Sequence, residues 1–341
     1  MPRCLTIAYL ALILCASLHP FSGWRASGIS PFVFLEAGWP RYWTLFDLSI
    51  NVAAYIPFGF LLAQSLEHRA GRSRASLIAS VSGAILSFAI ESLQSYLPSR
   101  VPSNIDLLCN SLGACLGSIS SLCCERFFLA RVLRARQPLL FPVPYAEYGL
   151  ILIGLWLLTQ LSPETPLFGV GDLRHMLDIS PALPYDAPSF FALETGITLC
   201  NTLAIGLIAS IVFAGRRATP RALPRFFAVA LSIRTLAAAA LIEPGSALAW
   251  LTPGAGAGIL LGGAALILAL LPIRMRITVA GMALLTGTLL INLAPLNPYS
   301  VAALAAWRQG HFLNLNGLTR LVASLWPFPA LIYLILLGRR L

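Results

Sequence analysis

Charge is scarce in this chain, and lysine is missing altogether. Only 11% of the 341 residues are charged, and all 23 basic residues are arginine. A soluble domain carries about 25% charged residues, so a water-soluble fold is excluded. Recognised site motifs are missing as well. The seven cysteines form no C-x-x-C and have no histidine at ligand spacing, which leaves them as small packing residues in apolar segments. No G-x-S-x-G and no H-E-x-x-H occurs, so neither a serine-hydrolase elbow nor a zinc-protease helix is written into the chain. No cofactor and no resident metal site is expected.

What is present is apolar: 58% of the residues, arranged in runs broken by arginines or by proline and glycine. Such runs read as membrane helices of about 20 residues. Ten are expected, at roughly 4–19, 46–66, 77–97, 104–123, 145–161, 195–214, 226–243, 254–272, 277–296 and 319–337. The first run is short, and a cleaved signal peptide is its other reading. The net charge of +10 would suit a nucleic-acid partner only if the arginines clustered on one soluble face. They sit instead in short groups between apolar runs, which argues against nucleic acid.

Arginine placement sets the expected topology. With the N-terminus inside, 16 of the 23 arginines fall at alternate, cytoplasmic connections, and ten of the 13 acids fall on the other side. Short cytoplasmic loops retain positive charge in this way. The expected fold class is therefore all-α: a polytopic membrane helix bundle of about ten transmembrane helices with both termini cytoplasmic. Two outer loops exceed a turn, 20–45 with Trp24, Trp39, Tyr42 and Trp43, and 162–194, rich in proline and acids. They read as interfacial anchors or as a lid over an outward-facing site. Gly113 with Gly117, and Gly254 with Gly258 and Gly262, recur every four residues, the spacing at which two membrane helices approach closely.

One stretch, "SFAIESLQSYLPSRVPSNIDLLCNSLG", combines two apolar helices with Glu91, Gln94, Arg100, Asp106 and Asn110. The seven-residue connection "PSRVPSN" forces these helices to be antiparallel neighbours. Asp47 and Asn51, one turn apart on the preceding span, enter from the same side. An ionised group inside a membrane costs roughly 2.5–3.5 kcal/mol on insertion scales, so these seven residues need partners or a purpose. They are candidates for an outward-facing polar pocket, with Glu91 and Asp106 as the candidate catalytic groups. An ion-pair cluster of Glu91 and Asp106 with Arg100, holding the hairpin together, is the structural alternative.

At these residues the chain resembles the VanZ-like family of bacterial membrane proteins. The family pattern is matched by Asn51, then Pro57-Phe-Gly59, Glu91-Ser-Leu-Gln94, Arg100, and Asp106-Leu-Leu-Cys-Asn110-Ser-Leu-Gly113. The resemblance covers roughly residues 1–125 and implies a cell-envelope protein of the bacterial cytoplasmic membrane, with a family association to teicoplanin resistance. The expected organisation is a VanZ-like four-helix membrane domain over 1–125, a basic cytoplasmic linker over 126–144, and a second membrane domain of about six helices over 145–341.

Three functions of different classes follow. The first is a binding protein whose pocket holds a membrane lipid headgroup or a lipid-linked cell-wall or glycan precursor, with Arg100 suited to phosphate or carboxylate. The second is a membrane enzyme using Glu91 or Asp106 as general base or toward a divalent ion. The third is a secondary transporter, for which Arg234, Pro57 and Asn292 are the nearest signs. Further polar positions are Glu194, Asn201, His175 between Asp172 and Asp178, and His311, Asn314, Asn316 and Arg320 before the last span.

Overall fold

The fold is seen in a computed structural model that describes residues 2–26, 28, 30–39, 43–123, 145–162, 165–177, 179, 183–213, 222–241, 245, 247–295 and 313–341. Among the described residues there are helices and no strand. Eight helical stretches are long and apolar enough to cross a membrane, and two further apolar helices, Pro2–Leu18 and Ala146–Thr159, are shorter. These ten coincide in order with the ten expected spans. The protein is thus a polytopic helical bundle, divided into two compact units, Met1–Ala135 and Arg136–Leu341. The expected basic linker, 126–144, lies outside the described residues.

The first unit contains α1 (Pro2–Leu18), α2 (Leu45–Ala70), α3 (Arg72–Gln94) and α4 (Asn104–Cys123). α3 starts five residues before its expected position, because Gly71 serves as the C-cap of α2 and as the N-cap of α3 at once. Its φ of 78° lies in the left-handed region, where glycine alone is unstrained. α2 also runs unbroken through Pro57, whose ring removes one backbone donor. Tyr9 of α1 donates its hydroxyl to the Ala54 carbonyl in that turn at 2.9 Å, next to Ala53, whose carbonyl loses its donor to the proline.

α2 and α4 are packed backbone to backbone. A Cβ added at Gly113 would lie 2.2 Å from the Val52 carbonyl oxygen, and one at Gly117 would lie 2.0 Å from that of Ile56. From the other side, a Cβ at Gly59 would lie 2.1 Å from the Ala114 carbonyl oxygen. Lipid tails are as apolar as the helices, so association here depends on close packing and interhelical hydrogen bonds. Both are present: Ser76 and Ser80 of α3 reach Ser118 of α4 at 3.2 and 2.6 Å.

The second unit contains α5 (Tyr145–Thr159), the single turn α6 (Arg174–Leu177), α7 (Ala187–Val212), α8 (Ala222–Leu241), α9 (Pro253–Ala265), α10 (Ile273–Leu293), α11 (Leu313–Leu325) and α12 (Pro327–Gly338). α7 is the buried axis, with Ala204, Leu207, Ile208, Ala209, Ile211 and Val212 fully enclosed. It starts eight residues before its expected position, because Asp186 caps it by accepting from the Ser189 N–H and hydroxyl. These bonds hold the Asp186 carboxyl below the usual range. The expected last span is two helices, α11 and α12, interrupted at Trp326 before Pro327. Gly254, Gly258 and Gly262 of α9 do lie against α7, where an added Cβ would meet Glu194, Thr198 and Thr202.

Candidate functional site

The candidate site lies in the first unit, at the end where α1 stops, α2 and α4 begin and the α3–α4 connection turns. Asp47 opens α2 in a capping box: its carboxylate accepts from the Thr44 N–H at 3.2 Å and hydroxyl at 2.7 Å, while Thr44 Oγ1 accepts from the Asp47 N–H. One turn deeper, Asn51 donates from Nδ2 to Asp106 Oδ1 of α4 at 2.7 Å. Deeper again on the same face stands Tyr55, only 3% exposed.

Glu91, in the last turn of α3 and 2% exposed, accepts the Ser103 N–H at 2.8 Å. Ser103 in turn accepts from the Asp106 N–H at 3.4 Å, which closes the first turn of α4. Beneath Asp106, Asn110 donates from Nδ2 to Ser87 Oγ at 3.0 Å. The Tyr55 hydroxyl lies beside Ser87 and within electrostatic range of Glu91. One buried atom in this cluster, Asn110 Oδ1, has no hydrogen-bond partner in the protein, and the Tyr55 hydroxyl has only Ser87 beside it. A buried polar atom left in that state costs about 1–3 kcal/mol.

Gln94 and Arg100 act elsewhere. Gln94 donates to the Ser17 carbonyl at 2.9 Å, and Arg100 donates to the carbonyls of Ala16 at 3.1 Å and of His19 at 2.8 and 3.2 Å. These are the last carbonyls of α1, which a helix cannot satisfy from within and toward which its dipole draws a cation. Burial lowers the Arg100 pKa, yet a guanidinium stays charged. The segment between α1 and α2 rests on the same joint: Arg25 donates its N–H to the Tyr96 carbonyl, Asn104 donates to the Ala37 carbonyl, and Phe32 stacks on Phe88 at 5.5 Å.

Of the seven residues expected from sequence, Asn51, Glu91, Asp106 and Asn110 thus converge in one cluster. Asp47 stands at its edge, and Gln94 and Arg100 belong to the joint with α1. Sequence reasoning missed Tyr55, although it lies four residues after Asn51 on one helical face. It also missed a second polar group at the opposite end of the unit. There Arg72 pairs with buried Glu67 at 3.4 Å and donates to the Leu122 carbonyl of α4. An arginine thus serves a helix C-terminus at each end of the bundle.

Most of the polar positions singled out in the second unit have structural partners, although Asn201, which donates to the Ile197 carbonyl at 2.8 Å, leaves its buried Oδ1 without one. Arg234, 3% exposed on α8, donates to the carbonyls of Ser162 and Thr165 in the segment after α5. Asn292 of α10 accepts the Leu173 N–H at 2.9 Å and donates to the Gly171 carbonyl at 2.6 Å. Asp172 pairs with Arg174 at 2.7 Å. Glu194 sits where α9 begins, hydrogen bonded by its N-cap Thr252. Asp178 and His311 lie outside the described residues, as do the side chains of His175, Asn314 and Asn316.

No curated protein and no solved structure matches the chain. A family model does: the VanZ/LLP1 model matches residues 5–125, from α1 through α4, so this stretch carries a VanZ-like membrane domain.

Proposed function

We propose that the VanZ-like domain binds the polar headgroup of a lipid, or of a lipid-linked envelope precursor, through Asn51, Glu91, Asp106 and Asn110. Charge alternation supports placing that end of the bundle at the outer face of the membrane, which this reading takes to be a bacterial cytoplasmic membrane. The observation that supports this reading most is the buried Asn110 Oδ1 without a protein partner, set beside two carboxylates inside a membrane-length bundle. Such a group is costly to bury and is found in membranes where it serves a ligand or a pathway. Asn51 and Asp106 form the half-buried rim, and Glu91, Tyr55 and Asn110 lie beneath. A link to teicoplanin follows from this reading only if the bound molecule is a cell-wall precursor.

Photocrosslinking tests the placement. A lipid carrying a photoreactive headgroup should label the first two turns of α2 and of α4, and labelling should fall at least fivefold in Asp106→Asn. Labelling confined to the other end of the bundle, or unchanged by that substitution, contradicts the proposal.

A further inference from the structure

The headgroup reading above leaves the sign of the ligand's charge open, and the hydrogen-bond inventory of the cluster decides it. Arg100, the residue that would select a phosphate or carboxylate, gives three donated bonds to the carbonyls that end α1. Inside the cluster the amide donors face protein acceptors: Asn51 Nδ2 bonds Asp106, Asn110 Nδ2 bonds Ser87, and the Ser103 N–H bonds Glu91. What remains open is acceptor capacity. Asn110 Oδ1 is buried and unpartnered, each carboxylate oxygen holds more than one lone pair, and the Tyr55 hydroxyl, bonded to Ser87, keeps a lone pair to accept with.

We infer that this site recognises an ammonium group, seated among Glu91, Asp106, Asn110 and Tyr55, carried on the headgroup of a membrane amphiphile. This inference rests on the headgroup reading and narrows it. An ammonium brings three donors and no acceptor, the complement of what the cluster offers. Its charge offsets two carboxylates that would otherwise repel each other in a medium of low dielectric. An anionic headgroup would meet two carboxylates and find its arginine turned away.

The test uses the full chain in nanodiscs of defined composition, with phosphatidylethanolamine and phosphatidylglycerol as probes and native mass spectrometry as readout. Phosphatidylethanolamine should be retained at least tenfold over phosphatidylglycerol, and Glu91→Gln should remove that preference. Tyr55→Phe guards against a folding artefact, since it deletes a hydroxyl whose one protein partner is the Ser87 hydroxyl: melting should fall by no more than a few degrees while retention falls about fivefold, the order expected for one hydrogen bond. Preferential retention of phosphatidylglycerol, lost in Arg100→Ala and kept in Glu91→Gln, overturns the ammonium inference and leaves headgroup binding standing. Equal, nonspecific retention of both lipids in every variant overturns both and assigns the open acceptors to buried water.

Discussion

At the scale of single residues, Arg100 is the instructive case. Its place in a short connection between two acid-bearing helices made it readable as a ligand-binding group or as the partner of Glu91 and Asp106. The sequence carries no sign that α1 ends beside it, because that contact spans 81 residues of chain. Arg100→Ala should therefore act on stability, lowering it by about 3 kcal/mol through loss of charge-assisted bonds to α1 carbonyls. Thermal unfolding in detergent checks this, and Arg100→Lys should restore only part of the loss, since an ammonium cannot fork across Ala16 and His19. Asn51, Glu91, Asp106 and Asn110 were legible for a simpler reason: helical spacing places polar groups on one face, and a short connection forces two faces together. Tyr55 was hidden because an aromatic residue in an apolar run reads as packing.

At the scale of elements, the helices were legible because a membrane helix declares itself by length and apolarity alone. The boundaries that moved did so where a local cap overrode composition. Gly71 turns the chain in one residue where a longer basic loop was expected, and Asp186 with Ser189 starts α7 inside what reads as a proline-rich loop. The α2–α4 seam was legible on one side only: Gly113 and Gly117 show the spacing, while Gly59 on the partner helix becomes meaningful only once the two backbones touch. Gly117→Val should separate the seam, since its Cβ would fall 2.0 Å from the Ile56 carbonyl oxygen, a contact that no side-chain adjustment relieves. We expect a loss of about 3 kcal/mol or failure to insert, the range of overpacked cores. Gly154→Ala, with open space around its Cβ, is the matched control and should behave as wild type.

At the scale of the whole molecule, the chain is two compact units, each with its own packed interior. The VanZ/LLP1 match ends with the first. The second unit was the less legible half, because its polar residues act on irregular backbone that periodicity does not reveal. Arg234 and Asn292 hold Ser162 and the segment 165–173, whose Leu167, Phe168 and Val170 are buried although no helix contains them. Arg234→Met should leave the Ser162 and Thr165 carbonyls unsatisfied and cost the second unit about 3 kcal/mol. Lipid retention by the first unit should persist in that variant, and loss of both together would show that the units do not act separately.

The central claim is that the cluster around Glu91 and Asp106 binds a ligand while Arg100 holds the fold. Native mass spectrometry of lipids co-purified with the wild type, Glu91→Gln and Arg100→Ala tests it most directly. The account predicts a discrete bound lipid that Glu91→Gln loses without a fall in melting temperature, and that Arg100→Ala keeps while melting lower. A lipid kept by Glu91→Gln and lost by a fully stable Arg100→Ala would contradict it.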